Sequence, residues 1–254
     1  MNDYNDTKLS TKEKVLSALE KNKGNYVSGE TLAGDCMVSR NAVWKSINEL
    51  RKAGYRISSV NNRGYMLEEK SDIISLAGIL LHLEKVKKTG AFEGRIFVYD
   101  KIDSTNTEAK RSIISDEDDL PHGTVIVARC QTAGRGHKGR SFSSPEGGIY
   151  FSLILKPEKM KKKTGPVTGQ ICRVVKEVLE KIYCVQLTAK TNGSLYLRNE
   201  KVCGIMTEGF CDLETGIYSS YIAGIGIMAD RLSKAAQNTV EKNEVIAGII
   251  SELI

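Results

Sequence analysis

Apolar residues near the start of the chain recur at helical spacing in three short blocks. Ser10 followed by Glu13 is a capping-box signature, and Val15, Leu16 and Leu19 then form a stripe, so the first helix begins just after Ser10. Ser28 can cap a second short helix over 29–35, and Ser39 a third over 40–53, in which Val43, Ile47 and Leu50 repeat on one face and Gly54 supplies the stop. The period then changes. Residues 55–60 and 65–67 read as two strands around a turn at 61–64, whose Asn-Asn-Arg-Gly composition suits positive φ. A charged stretch at 68–72 leads into a short helical pattern at 73–83. Beyond it, strand-like runs appear at 95–99, 124–128, 149–155, 185–189, 194–197, 202–208 and 217–227, with helices near 105–115 and 166–183 and a final helical segment at 238–254. The helices are too few for a βαβ crossover at every strand, so a mixed sheet with helices on one face is expected.

Three helices and a hairpin make a winged helix-turn-helix, and the whole chain is therefore α+β. In such a module the second helix of the pair enters the major groove and the wing touches the backbone. Ser28, Ser39, Arg40, Asn41 and Lys45 are the DNA-facing candidates on the helices, and Asn62 and Arg63 those on the wing. A helical cap that touches no nucleic acid is the competing reading. Trp44 suits either core or contact.

The composition is that of an ordinary globular protein long enough for one large domain and one small one. No apolar run approaches the roughly 18 residues of a membrane span, and the polar, acidic start is unlike a signal peptide, which implies a cytoplasmic protein without a membrane partner. Six scattered cysteines without a Cys-x-x-Cys pair fit reduced thiols, and three distant histidines offer no metal cage. The net charge of +6, part of it in the lysines of 156–163, is weak evidence for nucleic acid.

The richest chemistry lies in the loop 131–148. Gly134, Gly136 and Gly139 alternate with Arg135, His137, Lys138 and Arg140, so backbone N–H groups and cationic side chains can converge on an anion. The spacing also satisfies G-x-G-x-x-G. A dinucleotide fold needs a helix opening at the third glycine, however, and Pro145, Gly147 and Gly148 forbid one. A hairpin loop with solvated charges remains the plainer alternative.

Asp103-Ser-Thr-Asn106, Gln131-Thr-Ala-Gly-Arg-Gly-x-x-Gly-Arg140 and Ser144-Pro145 resemble the biotin protein ligases. The resemblance continues through Lys190, Ser194-Leu-Tyr-Leu197, Lys201-Val-Cys-Gly-Ile205, Thr207-Glu208 and Gly224-Ile-Gly-Ile227, and is strongest to bifunctional members that also repress the biotin operon. It implies a DNA-binding domain over 1–68, a linker and connecting helix over 69–93, and a biotin/lipoate-ligase-like catalytic domain with a mixed sheet over 94–254, without the family's C-terminal SH3-like barrel. The implied activity is ATP-dependent formation of biotinyl-5′-adenylate and transfer of biotin to a lysine of the biotin carboxyl carrier protein of acetyl-CoA carboxylase. Biotin and ATP are the implied ligands, with Mg²⁺ carried in by the nucleotide, and operator DNA and a ligand-dependent homodimer are the further implied partners. Arg135 and Lys190 are the implied catalytic pair. Ser104, Thr105, Asn106, Gln131, Gly134, Gly136, His137, Gly204, Gly224 and Gly226 would join them in holding biotin and its adenylate. A lipoate-type ligase is the remoter reading.

This chain departs from the family pattern in places. It reads Lys190-Thr-Asn-Gly-Ser194 where Lys-Trp-Pro-Asn-Asp is usual, Met228 replaces an asparagine, Phe142 lies near the place of a tryptophan, and the second basic residue of the loop is His137. The alternative function is therefore a ligase-deficient DNA-binding regulator that senses biotin or its adenylate.

Overall fold

The computed structural model describes residues 9–86, 92–115, 120–160, 166–190, 193–211, 214–236 and 240–254. Residues 161–163 of the basic run and 238–239 of the last segment, to which the sequence assigns a solvated charge cluster and a helix start, lie outside them. The chain divides between residues 91 and 92 into two compact units.

In the first unit, helix α1 (Thr11–Lys21) starts at the predicted box: Ser10 N–H donates to Glu13 Oε2 (2.8 Å) and Glu13 N–H to Ser10 Oγ (3.3 Å). Ser28 caps α2 (Gly29–Cys36), Met37 ends it in the left-handed conformation at φ 54°, and Ser39 caps α3 (Arg40–Lys52). Strands β1 (Ile57–Val60) and β2 (Gly64–Leu67) pair antiparallel around Asn62 at φ 64°. Gly64 takes φ 97°, and a Cβ there would strike the Val27 carbonyl, so only glycine closes this wing. Val15, Leu19, Leu32, Val43, Ile47, Leu50, Ile57 and Leu67 form one core, and Ile73 and Ala77 pack against it. Helix α4 (Leu76–Val86) contacts α1, so the segment read as a linker is built into this unit.

The second unit is a seven-stranded sheet in the order β3-β4-β5-β9-β8-β7-β6. The strands are β3 (Ile96–Ile102), β4 (Thr124–Gln131), β5 (Ile149–Leu155), β6 (Thr188–Lys190), β7 (Ser194–Leu197), β8 (Glu200–Cys211) and β9 (Tyr218–Ile227). Among the described residues only β3 and β4 run parallel, connected through α5 (Thr105–Ser115); the other neighbours are antiparallel, so the sheet is mixed.

The register settles which helix covers which face. Ser152 opposes Gly224, which opposes Met206, and Ser152 meets Asn106 at the start of α5. Thr207, on the opposite face of β8, is hydrogen-bonded to Thr168 of α6 (Val167–Tyr183), against which α8 (Lys242–Leu253) packs. Helices thus cover both faces, which corrects the one-face expectation, and every residue of β5 is buried. The unbroken apolar run 149–155 is the form a strand takes when both sides are covered. A second correction concerns β6, which starts three residues later than the expected 185. Cys184 caps α6 in the left-handed conformation and Glu180 accepts the Leu187 N–H at 2.7 Å, which holds 184–187 against the helix end as a turn. Helix α7 (Ala229–Ala235) was not legible as a separate element.

Candidate active site

On the α5 face, the loop after β4 folds back on itself. Gly136 N–H donates to Arg140 O (2.7 Å), Phe142 N–H to Gly134 O (2.8 Å) and Gln131 N–H to Ser144 O (3.0 Å), and Arg135 bridges Ser141. A single 3₁₀ turn, His137–Gly139, makes the tip, with Gly139 at φ 73°. The loop is a hydrogen-bonded hairpin that carries Arg135, His137 and Arg140, all exposed. The Lys138 side chain lies outside what is described.

Below it is a cavity of about 160 Å³. Ser104, Thr105, Asn106, Gln131, Arg135, Gly136, His137, Gly204, Gly224 and Gly226, from the α5 start, the loop and strands β8 and β9, all line it. Gly134 does not line it. It is buried within the hairpin, where a Cβ would collide with the Phe142 carbonyl and the Ser144 hydroxyl. Gly204 and Gly226 lie under the Phe142 ring and Gly224 under the Asn106 amide, each without room for a Cβ. They therefore admit these two side chains and, lining the cavity, leave bare main chain on its wall.

The polar residues are joined in one network. Gln131 Oε1 accepts from Thr105 N–H (2.8 Å) and from the Thr105 hydroxyl (3.2 Å), and Gln131 Nε2 donates to Ser144 Oγ (2.7 Å). Ser152 Oγ donates to Asn106 Oδ1 (2.6 Å) and lies 2.8 Å from Thr105 Oγ1. Asn106 Nδ2 donates to Glu208 Oε2 (2.8 Å), and Lys110 Nζ contacts Glu208 Oε1 at 2.5 Å. Burial would raise the Glu208 carboxyl, but the bonds from Lys110 and Asn106, helped by the Lys110 and Arg135 charges, hold it below the usual carboxylate range. Asp103, before this cluster, is lowered chiefly by its hydrogen bond from Arg111, 2.6 Å away.

The cations are distributed differently from the sequence reading. Arg135, Arg140 and Lys201 line the cavity, together with the His137 imidazole. Among the described residues no carboxylate is bonded to Arg135, Arg140 or Lys201, so the site is electropositive and fits an anion. Lys201 holds its ammonium 5.5 Å from the Phe142 ring centroid. Lys190 is not at the cavity. Its register partner Ser194 is on that face, but the Lys190 ammonium lies 4.0 Å over the Tyr196 ring, and the residue borders a second cavity beside α6. Thr191 and Asn192 lie outside the described residues.

Lys201, Ser152, Glu208, Lys110 and Phe142 were missed as site residues. Lys201 and Glu208 stood in the resembling motifs, and Ser152 is the lone polar residue inside an apolar strand, which was its signal. Nothing local links Lys110 to Glu208.

In the first unit, Arg40, Asn41 and Lys45 are exposed on α3, and Asn62 and Arg63 on the wing. The Ser28 and Ser39 hydroxyls accept the N–H groups of Thr31 (2.9 Å) and Ala42 (3.2 Å). Arg63 stacks on the Tyr26 ring at 4.7 Å. Arg51 of α3 is tied to the wing, donating to Ile57 O (2.9 Å) and Ser59 Oγ (3.1 Å).

Residues 11–66 match a helix-turn-helix domain family, and residues 98–217 match the biotin/lipoate A/B protein ligase family. The chain is 33% identical over 258 residues to the bifunctional ligase/repressor BirA of Bacillus subtilis (strain 168), covering 95% of this chain and 77% of that one. It is 30% identical over 229 residues to the protein of the same name from Escherichia coli (strain K12), covering 90% and 65%. Among solved structures, the biotin acetyl coenzyme A carboxylase synthetase of Helicobacter pylori with bound biotinylated ATP matches with a TM-score of 0.52 at 24% identity, over 64% of this chain and 76% of that one, which shows the shared fold.

Proposed function

Taking as premise that the chain belongs to the bifunctional biotin ligase/repressor family, we propose that it activates biotin with ATP, passes it to a carrier-protein lysine, and represses transcription from operator DNA. The observation that carries the ligase half is the cavity itself, where four separated segments bring hydroxyl, amide and cationic groups together under one hairpin.

Biotin is a neutral fused ring with an apolar tail ending in a carboxylate. The Ser104–Asn106 segment and Gln131 supply donors and acceptors for the ring, already oriented by the hydrogen bonds among them and to Ser152. A carboxylate oxygen of biotin attacks the α-phosphorus of ATP and pyrophosphate leaves. The amine of an acceptor lysine then attacks the acyl carbon and AMP leaves. Two anions have to meet in the first step, so cations must lie between them. Arg135 is the clamp, because its planar fork can hold carboxylate and phosphate oxygens together. Lys190 is the second cation of this reading, which requires its ammonium to leave the Tyr196 ring and the cavity beside α6. The hairpin shields the mixed anhydride from water.

ATP brings Mg²⁺ with its phosphates. Such an ion is held largely by the phosphates themselves and needs no dedicated protein cluster. Among the described residues no helix is long and apolar enough to cross a membrane; we place the protein in the cytoplasm with its carrier-protein partner and its operator, as a homodimer when the adenylate is bound.

A second reading, a regulator that binds biotin or its adenylate without ligating it, is favoured by the position of Lys190 over Tyr196. One incubation separates the two. Purified protein with biotin, ATP and magnesium should yield bound biotinyl-adenylate by mass spectrometry and biotin on an added carrier domain, both lost in Arg135→Ala. Biotin binding and DNA binding without adenylate would leave only the regulator.

A further inference from the structure

Helix α3 presents two unlike faces. Val43, Ser46, Ile47 and Leu50 point into the core, with at most 4% of any of them exposed. Arg40, Asn41, Trp44 and Lys45 point to solvent, and because Trp44 follows Arg40 and Lys45 follows Asn41 by four residues, they share one surface over the first two turns. Trp44 is 54% exposed. The core of this unit is complete without the indole, which occupies a position where arginine, asparagine and lysine surround it.

Single exposed apolar residues are common and by themselves mean nothing. A half-exposed indole inside a cationic patch is more specific, since it combines the largest apolar side chain with a setting that attracts a polyanion. Arg40 and Lys45 flank it, Arg63 extends the positive charge onto the wing, and Arg51 is held away by Ile57 O and Ser59. The carboxylates nearest in sequence are Asp35, in the last turn of α2 and nine residues before Trp44, and Glu49, more than a turn further along α3; the cations Arg40, Lys45 and Arg63 outnumber them. Charge complementarity therefore selects nucleic acid over a protein surface. Phosphates carry no sequence information, whereas the major-groove edge of thymine offers a methyl group that an apolar side chain can cover.

We propose that Trp44 is a base-reading residue whose indole enters the major groove with Arg40, Asn41 and Lys45 and packs on the methyl of a thymine. This rests on the DNA-binding half of the reading above. The helix end that reads bases, the exposure of the indole and the surrounding cations place it there together.

Trp44 is the only tryptophan in the chain, so its emission reports on this one position. The probe is a duplex library with a random central segment, from which the unsubstituted protein, with biotin and ATP present, selects its preferred sites. The recovered sites should share an A·T pair at a fixed position, and the selected duplex should shift or quench Trp44 emission more than a scrambled one does. Trp44→Ala should lose preference at that position by about tenfold, a typical single-base effect, while Trp44→Phe retains most of it. Biotin transfer to a carrier domain should be the same in all three proteins, which serves as the folding control.

The proposal is overturned if Trp44→Ala selects the same sites with the same affinity, or if emission does not respond while anisotropy of a labelled duplex shows full binding. A change in sedimentation of Trp44→Ala without DNA, with DNA binding intact, would make the indole a protein contact and overturn it equally. Should the unsubstituted protein select no duplex at all, the DNA-binding reading fails as well, an outcome distinguishable from the others.

Discussion

The two units use polar side chains in opposite ways. In the first, the core is built chiefly of apolar stripes closed by caps, and the functional candidates Arg40, Asn41, Lys45 and Arg63 project outward. In the second, the candidates Thr105, Asn106 and Gln131 are themselves the internal scaffolding, bonded to Ser152, Ser144 and Glu208. A reader of a long polyanion can keep its contacts on an independent frame. A slot for a small, mostly neutral molecule has to make its walls and its contacts from the same atoms, because buried polar groups must be satisfied before the ligand arrives.

Substitutions should sharpen this contrast, beginning with the largest effect. Arg135→Ala removes an exposed cation that bonds no carboxylate among the described residues, so adenylate formation should fall by about 100-fold or more while the melting temperature and the DNA affinity of the ligand-free protein hold. A comparable loss of DNA binding would break the separation between the units. Gly226→Ala sets a methyl under the Phe142 ring, and overpacking of this kind costs about 1–3 kcal/mol; calorimetry should show it together with weakened biotin binding, whereas an Ala that leaves both unchanged would show the ring to be free. Lys45→Ala should weaken binding to all duplexes alike, lowering the slope of log affinity against log salt by about 1, with no change in thermal stability.

The smallest effect concerns pH. The Glu208 carboxyl is held below its unfolded value of about 4.3, so the stability it contributes is full above that value and is lost as pH falls through the folded one. Glu208→Gln lacks this component. Its melting temperature should therefore drop less than that of the unsubstituted chain between about pH 6 and about pH 3. A parallel drop would mean that Lys110 and Asn106 do not depress the carboxyl.

What could be seen in the sequence follows the range of the forces involved. Ser10, Ser28 and Ser39 mark helix starts through contacts three residues away, and the wing announces itself in the Asn-Arg-Gly of its turn, so the first unit is legible almost throughout. The loop around Arg135 and the strands beside it are legible for the same reason. Illegible were the bonds that join distant segments: Ser152 to Asn106, Lys110 to Glu208, and Arg51 to the wing. Lys190 shows a subtler limit. Its strand and register partner are local matters, but whether its ammonium meets a ligand or the Tyr196 ring is decided by a competition between a solvated cation, a π-face and an anion that only the assembled site presents.

Gly204, Gly224 and Gly226 make a bare platform of main chain beneath Phe142 and Asn106. Nothing on such a platform can be retuned by exchanging one residue for a slightly bigger one. The clearance available to a guest is consequently adjusted from above, and Phe142 is the natural dial: a leaner cover would deepen the recess and a bulkier one would make it shallower, with the strands beneath undisturbed.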